Sequence, residues 1–243
     1  MIKNWLAGLG MLSLMPGVAT AAETGIGLRA STLGAGAELS VGLLDRLVLR
    51  VPFNTFRYSD DITEDDINYD GELQLRTVGL LADVHIFGGG FHLTGGLYSN
   101  GNEINLLASE ATGNDSFQVG NRSYRSDPNN PFELTAGLDF ESVAPYAGVG
   151  WGNAAQAENN GVYFKLELGV LFQGSPSAEA KGSGSVCDVA SPDCSTTSFD
   201  VEGNDPRAVV FREELERERA DLEAGLDDFK LYPVAGFSIG YRF

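Results

Sequence analysis

The chain has 243 residues and sets 16 Lys and Arg against 34 Asp and Glu, a formal net charge of −18. So acidic a balance excludes nucleic acid as a partner, because phosphate binding needs a basic face. Its 31 glycines are what tight turns and small interior positions of a strand-rich fold require.

At the N-terminus Lys3 precedes an apolar run, Trp5 to Val18, and the small residues Ala19, Thr20, Ala21 and Ala22 offer a cleavage site. Residues 1–22 therefore read as a secretory signal peptide. Pro16, Gly17 and the shortness of the run argue against a spanning helix, which needs about 17–25 residues. Cleavage removes one base, Lys3, and leaves 15 basic against 34 acidic side chains, a net of −19. Residues 23–243 suit a single domain.

Apolar residues then recur at every second position, the period of a strand with one greasy face. Ile26 to Thr32 and Ala35 to Leu43 are the first two such runs, and Leu47 to Phe53 is the third. An acidic loop, 59–68, leads to Val78–Ile86, and the glycine turn Gly88–Gly90 leads to Phe91–Leu97. A polar loop, 101–130, follows. Phe132–Phe140 alternates on even positions and Val143–Trp151 on odd ones, which predicts one long strand with a bulge near Glu141 and Ser142. Val162–Phe172 is the seventh run, and a third loop, 174–228, precedes the eighth. In that last run Leu231, Pro233, Ala235, Phe237, Ile239, Tyr241 and Phe243 face one way and Tyr232, Val234, Gly236, Ser238, Gly240 and Arg242 the other.

Eight one-sided strands predict an all-β membrane protein, an eight-stranded antiparallel transmembrane β-barrel, since closure in lipid gives every backbone polar group a partner. A soluble lipocalin-like barrel would turn the apolar set inward and leave Arg29, Glu38, Arg50, Asp83, Lys165, Glu167 and Arg242 on the surface among bare glycines. Phe237, Tyr241 and Phe243 at the end of the last strand read as the signal for barrel-assembly machinery. The chain is thus expected in the cell outer membrane, in contact with lipid and lipopolysaccharide, as a monomer. Within the third loop Phe211, Leu215, Leu222, Leu226 and Phe229 recur at helical spacing. They predict one amphipathic helix over about 206–228, packed on the barrel mouth near Leu73, Leu75 and Phe132–Phe140.

The stretches FGGGFHLTGGLYSNGNE (87–103), VAPYAGVGW (143–151), FKLELGVLFQGSP (164–176) and YPVAGFSIGYRF (232–243), in this order and with an acidic helix before the last strand, resemble small outer-membrane barrels of the carbapenem-associated, ornithine-uptake porin type. The resemblance implies an eight-stranded barrel and slow passage of small, often basic, solutes.

Several constellations invite chemistry. Arg29, Arg50, Lys165 and Arg242 share the lumenal face with Glu38, Asp83 and Glu167, near Asn54, His85, His92, Tyr98 and Tyr146. Such near-balanced charge reads as a paired polar network or as a polar path. His85 and His92 flank the glycine turn, but without a Cys or a spaced carboxylate they do not define a metal or acid–base site. Lipid deacylases of this membrane place Ser and His outside the barrel, so no enzyme activity and no cofactor is expected. Asp66, Asn68 and Asp70 spell the opening of a calcium loop that lacks its twelfth-position acid, Thr77 standing there. Cys187 and Cys194, close together in an exported chain, are expected to form a disulfide. Beside a lipid-modifying outer-membrane enzyme, which the inward His85 and His92 disfavour, two function classes stay open. One is a narrow, plugged or capped channel for small, cationic solutes, and the other a surface-interaction barrel that transports nothing.

Overall fold

The structure is a computed structural model that describes residues 23–64, 67–110, 116–154 and 160–243. Residues 1–22, read as a signal peptide, and Asp66 of the calcium-loop motif lie outside the described residues. The elements run β1 (Thr24–Ser31), β2 (Gly34–Leu44), β3 (Leu47–Glu64), β4 (Ile67–Val84), β5 (Phe91–Asn100), β6 (Glu103–Glu110), β7 (Ser116–Val119), β8 (Arg122–Ser126), β9 (Glu133–Asp139) and β10 (Val143–Gly152). Then come β11 (Gly161–Phe172), β12 (Ser177–Ser183), β13 (Ser185–Asp188), α1 (Cys194–Thr197), β14 (Phe199–Asp200), α2 (Pro206–Gly225), a 3₁₀ turn (Asp227–Lys230) and β15 (Leu231–Arg242).

Eight of these close a barrel. Antiparallel ladders join β1, β2, β3, β4, β5, β10, β11 and β15 in that order, and β15 returns to β1 with Ile26 opposite Tyr241 and Leu28 opposite Ile239. Closure removes the unpaired edges that an open sheet would leave. The alternation sorts side chains as their chemistry demands. Leu28, Leu80, Phe164, Leu166 and Leu168 point outward and are each more than half exposed, while Arg29, Arg50, Asp83 and Glu167 point inward and are buried. No helix among the described residues is long and apolar enough to cross a membrane, which leaves crossing by strands open.

One end of the barrel carries the turns from β2 to β3 and from β4 to β5, the start of β1 and the end of β15; the other carries everything long. There β3 and β4 do not stop at the rim. Of the acidic stretch 59–68, expected as a loop, residues 59–64 and 67–68 continue their hairpin, with Ser59 opposite Glu72 and Asp61 opposite Asp70. These residues stay extended because the partner strand continues with them. Beyond the rim β4 takes β6 as its second neighbour, β6 takes β9, and β9 takes β12. The expected bulged strand over 132–151 is therefore two strands. β9 belongs to this outer sheet and β10 to the barrel, and the parity change at Glu141 and Ser142 marks the crossing from one to the other. The loops expected at 101–130 and 174–228 are likewise structured, holding β6, β7, β8 and β12, β13, α1, β14, α2 respectively.

A separate module sits on the outer sheet. β7, β8, β13 and β14 form a small second sheet. Its side chains Val119, Tyr124, Val186 and Phe199 pack with Val201, Phe132, Ala208 and Phe211 into one core. The edge-to-face ring pairs Tyr124–Phe211 (5.1 Å) and Phe132–Phe211 (5.5 Å) centre it on α2. Asp205 caps α2 by accepting from the Arg207 amide, and Pro206 follows at its first turn, where no amide is needed. The predicted helix is thus present and meets Phe132 of the expected surface through Phe211, but most of its packing is elsewhere. Its main contacts are with β7, β12 and β14 rather than with barrel strands. The second half of its stripe stays in solvent, Leu222 at 50 % and Phe229 at 59 % exposure. Phe211 finds the module core first, and Glu218 and Gly225 break the stripe after it.

Candidate functional site in the barrel lumen

An eight-stranded barrel is just wide enough for its own side chains, so large inward residues need small ones opposite. The register supplies them. Arg29 faces Gly36 and Ser238, Glu38 faces Gly27 and Pro52, Glu167 faces Gly150 and Gly236, and Lys165 faces Gly152 and Ser238. At Gly150 the requirement is strict. A Cβ there would come within 2.3 Å of His92 Nε2 and 2.9 Å of the Leu166 carbonyl.

Arg50 on β3 is the hub of the layer. Its Nε and Nη2 donate to the two oxygens of Asp83 (2.5 and 3.0 Å), and its Nη1 donates to Glu38 Oε2 (3.2 Å). Nη2 also lies 2.8 Å from Glu167 Oε2. Arg29 grips Glu167 with both terminal nitrogens (3.1 and 3.2 Å) and donates from Nε to Asn54 Oδ1 (3.2 Å). Lys165 Nζ donates to both Glu38 oxygens, at 2.6 and 2.7 Å. Hydroxyls complete the carboxylate shells. Tyr146 donates to Glu167 (2.6 Å), Thr94 to Asp83 (2.8 Å) and Tyr163 to Glu38 (3.5 Å), while Asn54 donates to Thr77 (3.1 Å).

Three cations meet three anions, so the layer is neutral. That balance lets it be dry: Arg50 is 0 % and Lys165 1 % exposed, whereas an unpaired buried charge would cost several kcal/mol. On the loop side a second layer follows. Leu33, Leu81, Tyr98, Ala144, Tyr146, Leu171 and Val234 pack together, with Tyr98 edge-on to Tyr146 at 5.5 Å. A charged stratum and an apolar stratum thus fill the barrel one above the other.

Three of the residues placed on the lumenal face by their sequence positions stand apart from this layer or at its edge. Arg242 lies at the turn end and donates to the Asn153 carbonyl (2.7 Å). His85 and His92 are buried there too, ring centroids 4.9 Å apart. The Nδ1 of each donates to a carbonyl of the glycine turn, Gly89 (2.8 Å) and Gly90 (3.1 Å). That leaves His92 Nε2 facing Asp83 Oδ2 at 3.6 Å. Thr94 and Tyr163 join the carboxylates although the lumenal set read from the sequence did not include them; their inward parity was the available signal.

Outside the lumen, Asn68 and Asp70 stand in β4, opposite Thr63 and Asp61. A strand spaces such alternate residues about 7 Å apart along one face instead of curling them round an ion. No group of three or more His, Cys, Asp or Glu among the described residues is placed to hold a metal. Cys187 and Cys194 are joined, with Cα atoms 5.3 Å apart, and tie β13 to α1. Phe237, Tyr241 and Phe243 point outward on the closing strand, Phe237 stacked on Phe164 at 6.2 Å and Tyr241 edge-on to Phe243 at 5.2 Å.

No family model and no curated protein matches the chain. Solved structures that share its fold include the crystal structures of two proteins named CarO and CarO2. The crystal structure of Acinetobacter baumannii CarO is 20 % identical with a TM-score of 0.50, over 90 % of this chain and 97 % of that one. That of Acinetobacter baumannii CarO2 is 17 % identical with a TM-score of 0.50, over 91 % and 98 %.

Proposed function

We propose that the chain is an outer-membrane barrel of the channel type, held shut at mid-height by the Arg50-centred layer and passing only small solutes when that layer loosens. The outward apolar wall supports the membrane location. Six of its eight strands, from the 8 residues of β1 to the 12 of β15, match the roughly 9–11 that a tilted strand needs to span, and β3 and β4, at 18 residues each, run on past the rim. Phe87, Phe91, Trp151, Tyr241 and Phe243 gather at the turn-end rim, as interfacial aromatics do. The likeness in fold to CarO agrees with this reading.

One observation carries the gating part. Arg29, Glu38, Arg50, Asp83, Lys165 and Glu167 are so tightly packed that water hardly touches them. A solute can pass that height only by taking over part of their pairing. Charged and small polar solutes can do this; bulky apolar ones cannot. Above the rim α2 sets Glu213, Glu214, Glu216, Glu218, Asp221 and Glu223 against Arg207, Arg212, Arg217 and Arg219, and this net negative balance biases the field toward cations.

Planar-bilayer recording tests it. Wild-type protein should give rare, small, cation-preferring events, and Glu38→Gln together with Arg50→Gln should raise their frequency. Silence from both proteins, with barrels that still shift on heating in electrophoresis, would reject the channel. The second reading, a surface-interaction barrel that transports nothing, would then stand. It is favoured by the module on the outer sheet, whose separate core is more structure than a lid requires.

A further inference from the structure

The outer sheet has one apolar face. Tyr69 on β4, Ala108 on β6, Leu134 on β9 and Gly182 on β12 lie in a single cross-strand row. The next rows toward the rim continue it with Leu106 and Ala136, then Leu73, Ile104 and Leu138. The module covers only the β9 and β12 side of this face. Phe132 leans over Gly182, where a Cβ would come within 2.7 Å of its ring, and Arg219 of α2 donates to the Ala178 carbonyl at 3.1 Å.

Where the cover ends a cleft of about 380 Å³ remains. Its floor is Tyr69, Ala108 and Leu134, and its walls are Phe117, Gln118 and Val119 of β7 with Phe132. Phe117 and Phe132 are stacked with ring planes 9° apart and centroids 4.8 Å apart. Ala108, the smallest side chain of the floor, lies between Tyr69 and Leu134 and leaves the space. The cleft is continuous with the interface between module and sheet, so anything that fills it extends a packing already present.

We propose that this cleft is a binding site for a small, flat, uncharged aromatic molecule of one or two rings. Size, shape and polarity each limit the ligand. Ligand pockets run from about 300 to 1,000 Å³, and this one is at the small end. The near-parallel phenyl rings favour a planar group that continues their stack. Among the described residues no charged side chain lines the cleft, so an ion would lose its hydration without a partner. The Tyr69 phenol and the Gln118 amide remain to orient one hydroxyl or carbonyl of the ligand, and the exposed Gln118 marks the mouth. The cleft lies beyond the rim, so this binding is independent of passage through the lumen.

The test uses full-length protein in lipid nanodiscs with labelled Leu and Val methyls, and 2-naphthol as probe. Magnetisation should pass from naphthol protons to the methyls of Leu134 and Val119. Ala108→Leu, which fills the floor, should weaken the apparent Kd at least tenfold, and Phe117→Leu, which removes one ring of the stack, should weaken it severalfold. Transfer confined to lipid-facing methyls such as those of Leu28 and Leu168 would mean partition into the bilayer and would overturn the proposal. So would transfer to Leu134 that is unchanged in the variants. If Ala108→Leu does not fold, the Phe117→Leu titration decides the matter alone.

Discussion

Arg50 on β3 and Glu167 on β11 meet at 2.8 Å across the lumen, although neither strand is hydrogen-bonded to the other. The ladders of the wall fix only neighbours; this contact fixes the cross-section of the barrel. Because Arg50 also holds Asp83 and Glu38, one side chain ties β2, β3, β4 and β11 into a single polar unit.

Removing that side chain leaves the Asp83 carboxylate without its arginine, while Glu38 keeps Lys165 and Glu167 keeps Arg29. Arg50→Ala should destabilise the barrel by about 3–5 kcal/mol, the cost of leaving buried charge unpaired, read from urea unfolding in lipid vesicles. Arg50→Ala combined with Asp83→Ala should cost less than the sum of the two single changes, since the pair interacts directly. Unchanged unfolding in the single variant would mean that the layer is not structural.

Steric fit at the turn end makes a second expectation. Gly150→Val places methyl groups where His92 Nε2 and the Leu166 carbonyl already stand. Overpacking of this kind costs about 1–3 kcal/mol. The variant should lose its heat-modifiable band at a lower temperature than wild type, whereas Gly89→Val, which meets nothing within 4 Å, should not.

The disulfide closes a short loop, its cysteines 7 residues apart, so its contribution is at most about 3 kcal/mol. Cys187→Ala with Cys194→Ala should speed amide exchange in β13 and α1 while leaving the barrel transition in place. A fall in barrel stability would show that module and barrel unfold together.

Asp205 gives α2 an acid dependence. The Arg207 side chain and then the Arg207 amide donate to its carboxylate, which holds it below the usual Asp range of about 3.9. A lowered folded value means that the cap contributes fully above the unfolded pKa and is lost as pH falls through the folded one. Amide exchange in the first turn of α2 should therefore accelerate only under strongly acidic conditions. In Asp205→Asn, which can still cap but does not titrate, that acceleration should be absent.

Deleting residues 207–227 separates lid from plug. The helix packs on the module, and the dry layer lies within the barrel. Single-channel conductance should hence stay as in wild type, although the module loses its core and Val119 and Tyr124 become exposed to protease. A clear rise in conductance would place the barrier at the helix instead.

Strand identity and facing were open to reading from the chain, because each barrel strand meets two environments and a period of two records both. Leu28 outward with Arg29 inward, or Leu166 outward with Lys165 and Glu167 inward, follows from local order alone. Partner choice does not. Phe132–Phe140 and Val143–Trp151 show the same alternation whether they form one bulged strand or two strands in different sheets. Only the ladders from β9 to β6 and β12, and from β10 to β5 and β11, decide which. Acidic residues 59–64 are extended for the same reason, their conformation being fixed by a strand opposite and not by their own composition. The module core is less legible still. Val119, Tyr124, Val186 and Phe199 are scattered through segments that look polar, and no local period links them to Phe132 and Phe211. Likewise the inward parity of Arg50 and Glu167 assigns both to the lumen, but their meeting at one height depends on the stagger of strands that never touch, and that is a property of the closed barrel.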